Sequence, residues 1–186
     1  MEFQIEILTK ENTPVTALDH FIRTQPVTQV YRKTDGEYRL ASCPFTDDWS
    51  PERKRAKAAE LTGGNLIAFG AFENGMLIGF IGLQKELHGS RMIVDTLHVS
   101  APYRSHGIGK QLFLRAISEA RIRGAEELYI SACSSQKTVA FYRAMGAEVT
   151  DRPIPEMVEE EPFDLQMVCK VNETHTNQLG KLRECC

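Results

Sequence analysis

The chain has 186 residues, with 22 Lys and Arg against 25 Asp and Glu, a formal charge of -3, and 42% hydrophobic and 25% charged residues. That is the composition of one ordinary globular domain able to bury its own core, without the basic excess of a general nucleic-acid binder. No apolar run reaches the ~20 residues of a membrane span, and the acidic, alternating start Met1-Glu2-Phe3-Gln4-Ile5-Glu6 is neither a signal nor a transit peptide.

Phe3, Ile5 and Ile7 alternate with polar residues and predict a half-buried strand. Thr13-Pro14 predicts a helix start, with Val15, Leu18, Phe21 and Ile22 on one apolar face. Asp35-Gly36 marks a turn, and Tyr38 and Leu40 alternate as a short strand. Ser50-Pro51 opens a second helix, rich in Lys, Arg and Ala, which Gly63-Gly64 stops. Two apolar strands, 66–72 and 76–83, flank the tight-turn signal Asn74-Gly75. A third, 92–99, follows the turn His88-Gly89-Ser90. A long helix then runs from Ile108 to the stop at Gly124, with Leu112, Phe113, Ala116, Ile117 and Ala120 on its stripe. Strand 128–132, helix 136–145 and closing strands 147–150 and 163–171 complete the pattern, with a Pro- and Glu-rich loop at 152–162. The order is strand, two helices, three strands, helix, strand, helix, two strands. It predicts an α/β (α+β) fold in which a mixed sheet carries helices on both faces. Residues 1–171 form a single domain, and 172–186 a polar tail.

Cys43, Cys133, Cys169, Cys185 and Cys186 are scattered, with no Cys-x-x-Cys pair and no His at metal spacing. They read as free thiols in a reducing cytoplasm, with no bound metal. The adjacent Cys185-Cys186 would support a homodimer.

The chemistry concentrates at 92–115, where a strand ends, a loop with glycines follows, and a helix begins inside the loop. Such a loop turns several backbone N–H groups toward one point. The helix N-terminus adds about half a positive charge, which suits a pyrophosphate. Gly107 and Gly109 let phosphate oxygens approach the main chain, and Arg104 and Lys110 supply cations. A glycine pair that merely opens a helix is the competing reading.

Arg104-x-x-Gly107-x-Gly109, preceded by Leu97-His98-Val99-Ser100-Ala101-Pro102-Tyr103, resembles the acyl-CoA pyrophosphate loop of the GNAT N-acetyltransferase superfamily. Phe141-Tyr142-Arg143-Ala144-Met145-Gly146-Ala147 is similar to that family's Phe-Tyr-x-x-x-Gly-Phe, with Ala147 replacing the usual aromatic. Ser135 and Thr138 stand where the family often has Asn and Ala. The resemblance implies a mostly antiparallel central sheet of about seven strands, splayed after the fourth. It implies acetyl-CoA as co-substrate, with its pyrophosphate on the amides of Ser105, His106, Gly107, Ile108, Gly109 and Lys110. The backbone of Leu97, His98 and Val99 would hold pantetheine, and Ser135 and Thr138 would lie against the cofactor. Tyr142 would be the acid that protonates the departing thiolate, and Asp95 the base. His98 is a further base candidate, but alternation puts it on the opposite face from Asp95 unless a bulge intervenes. Glu86, His88 and His20 are weaker candidates. For Tyr142 and for Asp95 the competing readings are core packing and a strand carboxylate.

Asp47-Asp48-Trp49 and Glu156, Glu159, Glu160, Glu161 and Asp164 would draw a cationic amine to the cleft mouth. Solvated loops are the plainer reading, and Arg53, Lys54, Arg55 and Lys57 read as a solvated helix face. Three functions follow: acetyl transfer to a small cationic amine (a polyamine, an antibiotic or an amino acid derivative), acetyl transfer to a protein or peptide, and a non-catalytic acyl-CoA-binding module.

Overall fold

A computed structural model describes residues 2–171, so the tail and the terminal cysteine pair lie outside the described residues. The chain opens with β1 (Gln4–Ile7). The segment predicted as a helix from Thr13 is instead a run of turns, with Ala17, Asp19 and Phe21 amides bonded three residues back to Pro14, Thr16 and Leu18. Leu18 and Phe21 are fully buried, while Val15 and Ile22 are exposed. Apolar residues three apart suit these tight turns as well as a helix.

A long hairpin follows, β2 (Gln25–Thr34) and β3 (Glu37–Asp47), turning at Asp35-Gly36. The predicted short strand at 38–40 is only part of it. α1 (Pro51–Thr62) starts where expected, with the Ser50 hydroxyl accepting from the Arg53 amide. The central hairpin is β4 (Leu66–Glu73) and β5 (Met76–Gln84), and β6 (Arg91–Val99) lies beside β5. α2 (Ile108–Ile122), β7 (Glu127–Ala132) and α3 (Gln136–Ala144) follow. β8 is only Glu148–Val149, and β9 is Leu165–Lys170. The loop predicted at 152–162 contains a short helix, α4 (Pro155–Glu160), which Pro155 opens.

Seven strands form one sheet in the order β1-β4-β5-β6-β7-β9-β8, with β2 and β3 as a separate pair. Among the described residues only β6 and β7 run parallel; every other neighbouring pair is antiparallel. One core joins the α2 stripe to Ile78, Ile81, Met92, Val94 and Ile130. A second joins Ala58 and Leu61 of α1 to Leu18, Phe21 and Phe80. Helices therefore cover both faces. Truncating Phe113 or Phe80, each wholly buried, to Ala would cost about 3–5 kcal/mol.

Candidate active site at the strand splay

β6 pairs with β7 only over Arg91–Val94, against Glu127–Ile130. Beyond Val94 the two strands part, while β6 stays paired with β5 out to Val99. The splay predicted after the fourth strand of the sheet lies here. It leaves one edge of residues 95–99 without a ladder partner, so that, apart from the Val99 carbonyl taken by Arg104, this edge can bond a ligand's amide and carbonyl groups.

A bulge decides what this strand presents. Gly82 faces Thr96 and Leu83 faces Val94, so Asp95 is the extra residue on β6. Met92 and Val94 pack into the α2 core, but after the bulge Leu97 and Val99 take that side. His98 is placed with Phe80 and Trp49, near α1. Asp95 and His98 therefore line one cleft rather than opposite faces.

At the end of β6 a short 3-10 turn, Ala101–Tyr103, leads into the exposed loop. Ser105 and Gly107 adopt φ of 67° and 81°, which turns the chain into α2. Among the described residues the amides of 105–110 have no backbone acceptor, as the first turn of a helix requires. A Cβ at Gly107 would meet nothing within 4 Å, so the space beside this residue is open. At Gly109 a Cβ would lie 3.3 Å from the Phe141 ring; this glycine lets α2 close on α3. These amides fit a pyrophosphate. Arg104 is used differently from a free cation: its guanidinium donates to the carbonyls of Val99, Thr24 and Arg23 at 3.0, 2.9 and 3.0 Å. It ties the loop to the end of β6 and to the segment before β2. The Lys110 and His106 side chains are exposed.

The cleft at the splay has a volume of about 570 Å³. Tyr142 of α3 lines it, with its ring centroid 5.9 Å from that of Phe113 and 5.2 Å from that of Phe141. The residue is 6% exposed, and its hydroxyl has no hydrogen-bond partner among the described residues. Burial pushes the phenol well above its ordinary value, and the charge of Asp164 adds to this. It therefore stays protonated at neutral pH, the state an acid needs. Ser135 and Thr138 are occupied at the start of α3: the Ser135 hydroxyl caps the Thr138 amide and donates to Thr138 Oγ1 at 2.8 Å. Gln25 Nε2 reaches both side chains. Only Thr138 of the two lines the cleft.

His98 stacks edge-on against Trp49 at 4.7 Å and Phe80 at 5.6 Å. Burial, with Arg23, Lys57, Arg104 and Arg53 nearby, holds its imidazole well below 6.5, so it is neutral at pH 7. The solvated helix face is a misreading for Lys57, which is buried between Glu60 and Asp95, with Nζ 3.6 Å from the Asp95 carboxylate; Arg53 is exposed and also lines the cleft. Arg23 pairs with Asp47 and lies over Trp49. No motif in the sequence marks Arg23, which lies between the run of turns and β2. His20 contacts the Leu77 carbonyl, and His88 lies by Arg91, with neither in the cleft.

Glu160 at the end of α4, and Glu161 and Asp164 between α4 and β9, line the cleft. Burial, a hydrogen bond with Glu161 and the Glu161 charge push the Asp164 carboxyl up to about 8. Glu156 and Glu159 are not part of the lining. Among the described residues no group of His, Cys, Asp and Glu is placed to hold a metal ion, and no helix is long and apolar enough to cross a membrane.

The model of the acetyltransferase (GNAT) family matches residues 35–147, more than half of the chain. Among solved structures, a nourseothricin acetyltransferase superposes with a TM-score of 0.71 at 18% identity, covering 92% of this chain and 100% of that one. A putative streptothricin acetyltransferase from Bacillus anthracis, in complex with acetyl coenzyme A, gives 0.68 at 16% identity, covering 91% and 99%. The ribosomal-protein-S18-alanine N-acetyltransferase from Escherichia coli gives 0.57 at 18% identity, covering 92% and 95%. No curated protein sequence matches. The chain belongs to the acetyltransferase (GNAT) family and is an acyl-CoA-dependent acetyltransferase.

Proposed function

We propose that this member of the GNAT family acetylates the primary amine of a small cationic acceptor by direct attack on acetyl-CoA, within the cleft at the splay. One observation carries the reading: Asp95, Tyr142 and the free edge of β6 open on a single cleft that also holds Glu160, Glu161 and Asp164. The neighbours named for nourseothricin and streptothricin support antibiotics as acceptors.

The co-substrate supplies an acetyl group activated as a thioester. The amides of Ser105–Lys110 hold its pyrophosphate, and the edge of Leu97, His98 and Val99 aligns pantetheine and polarises the carbonyl. Asp95 takes the proton that the amine loses as its nitrogen bonds the carbonyl carbon. Tyr142 gives its proton to the sulfur as the carbon–sulfur bond breaks. Lys57 holds the Asp95 carboxylate in place. Trp49, beside Arg23 and Arg53, walls the cleft from the α1 side.

The test is CoA thiol release and product mass with acetyl-CoA and a panel of polyamines, aminoglycosides, streptothricin, amino acids and short peptides. Acetylation of polyamines or antibiotics at the amine supports the reading. Acetylation of peptides alone assigns the protein-acetylating function. Tight acetyl-CoA binding without any turnover assigns a binding module.

A further inference from the structure

On the reading of the cleft as an amine-acceptor site, we infer that Asp164 and Glu161 together dock the acceptor's ammonium group, and that its arrival displaces a proton the two carboxyls share. The other acidic groups of the cleft already have cations. Asp47 pairs with Arg23, and Asp95 with Lys57. Among the described residues no Lys, Arg or His lies within ion-pair distance of Asp164, Glu161 or Glu160. The unpaired acidity of the cleft is therefore confined to this one segment.

The pair is held rather than loose. The Asp164 amide donates to the Glu161 carbonyl at 3.1 Å, which closes the segment through Pro162. Ser131 Oγ of β7 lies 3.4 Å from Glu161 Oε2. β9 begins at the residue after Asp164, so the sheet fixes that side chain's origin. Around Asp164 stand Glu161, Arg32 of β2, the Ser134 amide, and the neutral Cys133 and Tyr142. Arg32 favours the charged form, but it donates to Tyr31 O and Ser134 Oγ and covers the Phe163 ring. A second observation points to a ligand here. The Tyr142 hydroxyl, on a residue 6% exposed, opens into the same cleft with no partner among the described residues.

The chemistry is a simple exchange. The half-buried Asp164 carboxyl and the more exposed Glu161 carboxyl beside it keep one proton between them, because two charges would repel and the Asp164 charge would lose solvation. An ammonium ion removes both penalties. Its N–H groups donate to the carboxylate oxygens, one O–H bond breaks, and that proton leaves to solvent. No other bond changes. The docked ammonium keeps its charge and anchors the acceptor; a second, uncharged amine of the same molecule attacks, and Asp95 takes the one proton that nitrogen loses.

Spermidine is the probe. Its binding is measured by calorimetry at pH 7 in phosphate and in Tris, whose unlike ionisation heats report proton release. The expected result is release of part of one proton per spermidine bound, with affinity rising from pH 6 to pH 8.5. Asp164→Asn and Glu161→Gln abolish the release and weaken binding about tenfold, while acetyl-CoA affinity stays constant. Glu161 is exposed, so its variant keeps the fold and keeps the test decisive if Asp164→Asn does not fold. No spermidine binding, binding without proton release, or unchanged binding by the variants overturns the inference. Turnover of spermidine with acetyl-CoA is read separately. Turnover without proton release leaves the acetyltransfer reading standing and removes the docking pair. Proton release without turnover does the reverse.

Discussion

Replacing Tyr142 with Phe isolates one oxygen atom. The ring keeps its packing on Phe113 and Phe141, and the lost hydroxyl has no partner among the described residues. No hydrogen bond is broken, so stability should move by less than about 1 kcal/mol. The catalytic effect should be far larger. Proton transfer by a positioned acid contributes about 100- to 10,000-fold. At 1.36 kcal/mol per decade that is about 2.7–5.4 kcal/mol of barrier. The assay is CoA thiol release at saturating acetyl-CoA and amine, with a thermal melt and an acetyl-CoA titration alongside. The expected outcome is a loss of at least 100-fold in kcat, with Tm and acetyl-CoA Kd unchanged. Because burial raises the phenol's titration, no loss of rate through Tyr142 should appear as pH rises to 9. A kcat within twofold of the parent would refute the acid role and leave Tyr142 as a packing residue. A matched loss of Tm would do the same.

Asp95→Asn keeps the shape of the bulge but removes the base, and kcat should fall about 100-fold with acetyl-CoA Kd unchanged. An unaltered rate would move the base elsewhere in the cleft. Gly107→Val forces a β-branched side chain into φ of 81°, at about 1–2 kcal/mol of strain, over amides that now lie open. Acetyl-CoA affinity measured by calorimetry should drop at least tenfold while the circular dichroism spectrum stays the same; undiminished affinity would sink the pyrophosphate assignment. For Asp164 the folded carboxyl titrates at about 8 against an ordinary 3.8. Folding therefore favours the protonated form, and this contribution to stability is present at pH 4 and lost as pH rises to 8. Asp164→Asn fixes the neutral form, so its Tm relative to the parent should climb between pH 4 and pH 8. A flat difference would contradict the shared proton.

The phosphate loop and its flanking strand and helix were legible because they are local. Seven residues from Val99 to Ser105 bridge the strand and the loop, and the place of Gly107 is set by its own backbone conformation. The β2–β3 hairpin was not legible. Its bulge lies between Val27 and Gln29, so the two buried residues of β2, Val27 and Val30, are three apart and break the period of two. The run from Thr13 failed for a related reason, since Leu18 and Phe21 have a spacing that turns and helices share. In the sequence Lys57 looks solvated because its neighbours are charged. It stands four residues before the buried Leu61, on the same helix face, and that spacing was the available signal. The bulge at Asp95 was foreseen only as an alternative, because it depends on the register of β5. The meeting of Asp164 and Tyr142 had no sequence signal. It is made by the pairing of β9 with β7 across the sheet.

The placement of acetyl-CoA at the splay is tested most directly by an amide chemical-shift titration of the isotope-labelled protein with acetyl-CoA. The largest shifts are expected on Ser105–Lys110 and on Leu97, His98 and Val99, with smaller ones around Tyr142. Shifts confined to other surfaces, or none at all, would contradict the placement of the co-substrate on which the mechanism depends.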